Sequence, residues 1–225
     1  MRKLILLTVV IAAGCSKSSN QAAQQQEKSA TTPSQPQGGT DSRKLIVAFG
    51  DSLTSGYNVE PGRSYPDFLQ KQLDAKKQAF RVVNAGVAGE TSTDALNRVS
   101  MVLADKPAIV IVEFGGNDGL RGLPVATTRA NLEKILGIVQ KSGAQVVLAG
   151  MRLPPNYGPE YIKPFEKMYP ELAPKYNATL IPFILVGTAG NPELMQQDGI
   201  HPNEEGNRIV ADTVFQTLQH VIPKL

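Results

Sequence analysis

Scarcity of several residue types limits what this chain of 225 residues can do. It contains one cysteine, Cys15, two histidines and no tryptophan. One cysteine can form neither an internal disulfide nor a cysteine-based metal cluster. No apolar run reaches the roughly 18 residues that a membrane-spanning helix needs. The formal charge of +3 is small, which argues against the clustered basic surface that binds nucleic acid.

The first fifteen residues have the pattern of an export signal. Arg2 and Lys3 precede an apolar stretch over 4–13, and small residues then lead into Cys15. This order predicts a signal peptide over 1–14. The ending Ala-Ala-Gly-Cys resembles a bacterial lipobox, which implies that Cys15 becomes the lipidated first residue of the mature chain. The alternative is an ordinary signal followed by an incidental cysteine.

Residues 16–42 consist mainly of Gln, Ser, Ala, Thr, Pro and Gly, without an aromatic or large aliphatic residue. Such a segment cannot bury enough apolar surface to offset the entropy of ordering it. We therefore predict a lipidated, disordered tether over 15–43 and a folded domain over 44–225. The tether would hold the domain on the periplasmic side of the envelope, and Ser16 after the cysteine favours the outer membrane.

From Lys44 onward, short apolar runs rich in Val and Ile alternate with amphipathic stretches. The runs predict strands at 45–49, 80–83, 108–114, 145–149 and 178–183. The amphipathic stretches predict helices near 65–77, 92–104, 125–142, 159–176 and 204–220. This alternation predicts an α/β fold, a three-layer sandwich in which about five parallel strands carry helices on both faces. In such folds, functional loops lie beyond the carboxyl ends of the strands.

Three short motifs follow the first three predicted strands. They are Gly-Asp-Ser-Leu at 50–53, a loop with several glycines at 84–91, and Gly-Gly-Asn-Asp at 115–118. A serine between a strand end and a helix start presents its hydroxyl at the edge of the sheet, beside free N–H groups of the helix. Taken singly, the first motif also fits a helix cap, and the other two also fit plain turns.

The fourth motif, Asp-Gly-Ile-His-Pro at 198–202, stands just before the last predicted helix. An acid three residues before a histidine can bond one imidazole nitrogen and leave the other for proton transfer. The alternatives are a helix-capping turn or one edge of a metal site, although no second cluster of metal ligands is present. His220 has no acid within four residues. A histidine-activated nucleophile is therefore a serine or threonine paired with His201, because the only cysteine, Cys15, belongs to the export region at the start of the chain.

In combination, the four motifs resemble the four sequence blocks of the SGNH (GDSL) hydrolase superfamily, over about 45–220. The similarity is greatest to its bacterial periplasmic thioesterases, lysophospholipases and arylesterases, and the lipobox-like Cys15 with its tether departs from them. The resemblance implies that Ser52 attacks an acyl carbonyl, His201 accepts its proton and Asp198 orients His201. No cofactor or metal is implied.

The same resemblance implies an oxyanion hole made of the Ser52 N–H, the Gly89 N–H and the Asn117 amide. Asp51 is interpreted as a structural residue of the serine turn, and Asp118 as the cap of a turn. Residues 119–124 correspond to a mobile loop that borders the acyl groove. Apolar walls are predicted from five residues, each of which also fits ordinary packing: Leu120, Leu123, Leu153, Pro154 and Ile200.

The predicted reaction is the hydrolysis of acyl or aryl esters and thioesters, lysophospholipids included, through an acyl-enzyme. One alternative is an esterase that removes O-acetyl groups from carbohydrate or cell wall. The other is an envelope lipoprotein that kept the fold as a binding module and lost catalysis.

Overall fold

Five parallel strands form the central sheet in a computed structural model that describes residues 41–224. The strands are β1 Lys44–Gly50, β2 Phe80–Gly86, β3 Ile109–Glu113, β4 Gln145–Ala149 and β5 Thr179–Ile181. They lie side by side in the order β2-β1-β3-β4-β5. The order of the strands in the sheet therefore reverses between β1 and β3, which is the position where open α/β sheets bind ligands.

Helices cover both faces of this sheet and complete the predicted three-layer α/β fold, which is confirmed. The helices are α1 Ser52–Ser55, α2 Tyr65–Ala75, α3 Ser92–Val102, α4 Gly116–Leu120, α5 Val125–Lys141, α6 Pro159–Lys175 and α7 Glu204–Leu218. Helix α2 contacts α7, while α3 contacts α5 and α5 contacts α6.

The apolar strand runs fill the core because both faces of the sheet are covered. All five residues of β3 are fully buried, and so are most residues of β1. Burying a Val, Ile, Leu or Phe side chain is worth about 1.5–3 kcal/mol, so these central strands hold the loops that follow them in fixed positions. Strand β2 lies at the edge of the sheet and is partly exposed.

Polar contacts fix the entry into α7, directly after the predicted histidine motif. The Asn203 side chain caps α7 by accepting from Gly206 N at 3.0 Å. Asn207 Oδ1 accepts from Tyr65 N at 3.0 Å, and Asn207 Nδ2 donates to Pro202 O at 3.2 Å. These bonds tie the loop before α7 to the start of α2.

The predicted strands and long helices are all present, with ends that differ by up to three residues. The short helices α1 and α4 are not among the predicted helices, although a helix start was expected after the serine motif. The signal peptide over 1–14, Cys15 and nearly all of the predicted tether lie outside the described residues. Within 41–224, no helix has both the length and the apolar character needed to cross a bilayer.

Candidate active site

The turn after β1 presents Ser52 at the carboxyl edge of the sheet. Asp51 caps α1, since its Oδ1 accepts from Leu53 N at 3.1 Å. Ser52 is the first residue of α1, so its N–H has no acceptor within the helix. Gly50 permits this turn because a Cβ at that position would overlap Thr54 Oγ1 and Glu113 Oε2.

The loop before α7 brings Asp198 and His201 to the same edge. Asp198 Oδ2 lies 2.6 Å from His201 Nδ1, and His201 Nε2 lies 2.9 Å from Ser52 Oγ, across 149 positions of the chain. Asp198 Oδ1 also accepts from the backbone N–H groups of Ile200 and His201 at 2.9 and 3.0 Å. The structure thus brings the serine, the histidine and the acid into one hydrogen-bonded row.

The ionisation of Asp198 decides which groups donate and which accept in these hydrogen bonds. Burial by itself acts to raise the pKa of Asp198, but the hydrogen bonds from the His201 side chain and backbone outweigh it and lower the pKa. Asp198 is therefore a carboxylate at neutral pH and accepts from Nδ1–H. Nε2 is then free to accept the proton of the Ser52 hydroxyl.

Asn117 lies at the start of α4, beside the serine turn, and both of its amide hydrogens have acceptors. Asn117 Nδ2 donates to Asp51 Oδ2 at 3.1 Å and to Glu90 O at 2.9 Å. The second bond ties Asn117 to the loop of Gly89, whose positive φ of 84° suits a glycine. The Gly89 carbonyl accepts from Arg121 Nη2 at 2.8 Å, which holds it in one orientation.

A cavity of about 580 Å³ opens beside Ser52 and His201. Leu120, Leu153, Pro154 and Ile200 line it, as predicted from the sequence, together with Asn117 and Asp51. Leu123 is not among the lining residues; its carbonyl accepts from Tyr161 Oη at 2.6 Å instead. Sequence reasoning missed several other lining residues, namely Met151, Arg152, Phe183, Leu185, Ala189 and Met195.

Comparison with known proteins gives the family. Residues 48–209 match the model of the GDSL-like Lipase/Acylhydrolase family. The chain belongs to this family. It is therefore a serine ester hydrolase, and the matched range includes all four motifs found in the sequence.

Relatives of this GDSL-like hydrolase align over most of its length. Esterase TesA of Pseudomonas aeruginosa is 38% identical over 80% of this chain and 90% of its own. Arylesterase of Vibrio mimicus is 39% identical over 79% and 88%. Thioesterase 1/protease 1/lysophospholipase L1 of Escherichia coli is 37% identical over 79% and 84%. The crystal structure of TesA superposes with a TM-score of 0.76 at 38% identity, covering 79% of this chain and 99% of that one.

Two acids of this GDSL-like hydrolase are more deeply buried than their positions in the sequence indicated. Asp118, predicted as a turn cap, accepts from Ser92 N at 2.8 Å, from Ser92 Oγ at 2.6 Å and from Thr128 Oγ1 at 3.1 Å. Glu113, the last residue of β3, has no exposed surface and contacts the serine turn. In the sequence, the sign that Glu113 is buried is its position as a charged residue at the end of an otherwise apolar predicted strand.

Among residues 41–224, no group of three or more His, Cys, Asp or Glu side chains is arranged to hold a metal ion.

Proposed function

We propose that this GDSL-like hydrolase cleaves carboxylic esters and thioesters with Ser52 as nucleophile, His201 as general base and Asp198 as the residue that orients His201. The observation that carries this proposal is the Ser52 Oγ to His201 Nε2 distance of 2.9 Å, with Asp198 at 2.6 Å from the other imidazole nitrogen. A base within hydrogen-bond reach of a hydroxyl, itself held by a carboxylate, is the arrangement that activates a serine.

The proposed reaction has two halves. As Ser52 Oγ bonds to the acyl carbon, His201 takes its proton and the carbonyl oxygen becomes an oxyanion. His201 then passes the proton to the leaving alkoxide or thiolate, and the acyl group stays on Ser52. Water, deprotonated by His201, then attacks the acyl carbon of the acyl-enzyme. As the bond from that carbon to Ser52 Oγ breaks, His201 returns the proton to Oγ, which releases the carboxylic acid and restores the serine hydroxyl.

The oxyanion is proposed to bind the Ser52 N–H, the Gly89 N–H and the Asn117 amide. Asn117 already gives its hydrogens to Asp51 and Glu90 O, so the oxyanion competes with the Asp51 carboxylate for one of them. Such donors act most strongly when they are fixed in advance, and the bond to Glu90 O keeps the amide in place during the exchange.

The proposed substrates carry an acyl or aryl group large enough to fill an apolar groove. Support comes from the cavity of about 580 Å³, whose wall is largely aliphatic, and from relatives named as esterase, arylesterase and thioesterase/lysophospholipase. Apolar pockets of this size bury a small acyl chain while a few polar groups orient the ester.

Activity on a series of p-nitrophenyl esters from acetate to palmitate tests the choice of substrate. An optimum at six carbons or more supports the acyl-ester proposal. Activity confined to acetate contradicts it and favours the alternative, an O-acetyl esterase for carbohydrate or cell wall.

Labelling with a fluorophosphonate probe tests the nucleophile. We expect stoichiometric labelling of Ser52, none in Ser52→Ala, and a loss in kcat of about 10⁴–10⁶ for that variant. Folded protein that resists the probe contradicts the proposal and favours a binding module without catalysis.

We further propose export by a signal peptide over 1–14 and anchoring through a lipid on Cys15, on the periplasmic side and with the outer membrane favoured. Support comes from the position of the chain's single cysteine directly after the apolar leader. Cys15→Ser should release the protein from membranes in fractionated cells. If the variant stays in the membrane fraction, the lipid anchor is excluded.

A further inference from the structure

Glu113 places a carboxyl group directly behind the serine turn. Its Oε2 accepts from Asp51 N at 3.2 Å and from Thr54 Oγ1 at 2.7 Å. Its Oε1 is buried and receives no hydrogen bond from the described residues. A buried carboxyl oxygen without a donor is unfavourable in the ionised form but suited to carrying a proton.

Asp51 is the second buried acid of this cluster: its backbone N–H donates to Glu113 Oε2 at 3.2 Å, and its carboxyl group is near enough to that of Glu113 for the two acids to shift each other's pKa. No arginine of the described residues forms an ion pair with either acid. Two buried carboxylates in contact repel each other and lose their hydration, so such a pair retains a proton. Burial, and then the charge of Asp51, raise the pKa of Glu113 well above its ordinary value.

The hydrogen bonds show which of the two acids carries the negative charge. Both oxygens of Asp51 accept, Oδ1 from Leu53 N and Oδ2 from Asn117 Nδ2. Both bonds to Glu113, in contrast, fall on one oxygen. The charge therefore belongs on Asp51 and the proton on Glu113, although burial raises the pKa of Asp51 to about 6.

We propose that Glu113 is a positioning residue for ester hydrolysis: as a neutral acid it donates a hydrogen bond to the Asp51 carboxylate and thereby loosens the hold of Asp51 on the Asn117 amide. This inference rests on the proposed role of Asn117 in binding the oxyanion. An ionised Glu113 would place a second negative charge beneath the oxyanion and leave Asp51 to compete at full strength for the amide hydrogen.

Two substitutions of Glu113 distinguish the effect of its hydrogen-bond donor from the effect of the space that its side chain fills. Glu113→Gln keeps an acceptor for Asp51 N and Thr54 and an N–H donor for Asp51, so we expect kcat to fall by no more than about threefold. Glu113→Met cannot donate, so we expect kcat to fall roughly ten- to hundredfold with little change in KM, the size of a lost hydrogen bond to a charged group. Equal losses in both variants, or no loss in Glu113→Met, would overturn the proposal.

Val112→Ala is the matched control, because Val112 is the buried neighbour of Glu113 on β3 and lies outside the cluster. It should lower the melting temperature while leaving kcat nearly intact. A kcat loss in Val112→Ala equal to that in Glu113→Met would show that destabilised packing, and not the proton of Glu113, slows the reaction.

A double-mutant cycle tests whether Glu113 acts through Asp51. Once Asp51→Asn has removed the charge, Glu113→Met should cost kcat far less than it does in the wild type. Additive losses would overturn the proposal, because a purely structural role of Glu113 does not depend on the charge at position 51.

Infrared spectroscopy tests the proton directly and needs only the wild type and Glu113→Gln. At neutral pH, their difference spectrum should contain a protonated-carboxyl band that shifts when the protein is made with ¹³C-glutamate. A carboxylate band in its place would overturn the proposal. Fluorophosphonate labelling of the wild type keeps the two proposals apart: loss of labelling contradicts the nucleophile, whereas labelling without the infrared band contradicts only the role of Glu113.

Discussion

At the scale of single residues, the amide of Asn117 is fixed before any substrate arrives. Its two hydrogens bond Asp51 Oδ2 and Glu90 O, so the side chain has one orientation in which to meet the reacting carbonyl. The bond to Glu90 O keeps the amide in place, so only the hydrogen given to Asp51 would have to change its acceptor during the proposed reaction. The orientation of this amide therefore depends on hydrogen bonds to residues outside its own motif, which the sequence alone does not reveal.

Asn117→Ala should lower kcat by roughly 10²–10³ with a much smaller change in KM, because the proposed role of the amide is to bind the oxyanion and not the ground-state ester. Steady-state kinetics on one p-nitrophenyl ester measures this. Asn131→Ala is the control, since Asn131 is another asparagine whose side-chain amide donates hydrogen bonds, but to Ser92 and Thr93, away from Ser52. Equal kcat losses in the two variants would remove Asn117 from the oxyanion hole.

Gly50→Ala should impair both stability and reaction, because the added Cβ overlaps Thr54 Oγ1 and Glu113 Oε2 under the serine turn. Overpacking of this kind costs about 1–3 kcal/mol, and here it displaces Ser52 as well. We expect a lower melting temperature and slower fluorophosphonate labelling. In Gly137→Ala the new Cβ meets only ordinary contact with Tyr176, so labelling at the wild-type rate is expected there.

The sequence predicted the serine, the histidine and the acid of the candidate site, but not the buried acids behind the loops that carry them. With two histidines and an acid three residues before one of them, His201 could be chosen by elimination. The burial of Asp118 could not be predicted, because burial depends on which helices cover a strand end, and for Glu113 the only signal was its place in an otherwise apolar strand run. Asp118 meets Ser92 across 26 positions, a distance that no local pattern reports.

At the scale of elements, length decided what the sequence could predict. Helices α5 and α6 have 17 residues each, enough to repeat an apolar face several times. Helices α1 and α4 have four and five residues, too few to display a helical period, so periodicity predicts neither of them. Both carry residues of the candidate site, Ser52 and Asn117, and their shortness is what allows each to turn at the end of a strand.

If Glu113, the last residue of β3, holds a proton in the folded protein, stability must depend on pH. Because the pKa of Glu113 is raised in the folded protein, the native state keeps a proton that the unfolded chain releases above its ordinary pKa near 4.5. The wild type therefore loses stability as pH rises above that value, by up to about 1.4 kcal/mol per pH unit for one proton.

Glu113→Gln removes this loss, so its stability relative to the wild type should increase from pH 5 toward pH 8. Urea unfolding at several pH values measures the difference. Val112→Ala removes no titratable group and should run parallel to the wild type. A constant difference between Glu113→Gln and the wild type would show that Glu113 releases its proton as readily in the folded protein as in the unfolded chain.

At the scale of the whole molecule, every described core residue lies between Leu45 and Val221, and Asp41–Leu225 forms one compact unit. A chain that begins at Asp41 should therefore fold and hydrolyse p-nitrophenyl esters like the full-length protein. We expect melting temperatures within about 2 °C, equivalent to at most about 1 kcal/mol for a domain of this size. A larger loss would show that the first 40 residues contribute to the fold.

The positions along the chain of the two side chains proposed to react have a consequence for biosynthesis. Ser52 follows the first strand to be synthesised, whereas His201 follows the last, 149 residues after Ser52. By the proposed mechanism, a nascent or prematurely terminated polypeptide holds the nucleophile without its general base. Esterolysis is therefore silent until translation has nearly finished and the last helix has docked, which makes turnover of a chromogenic ester a strict reporter of full-length, correctly assembled product.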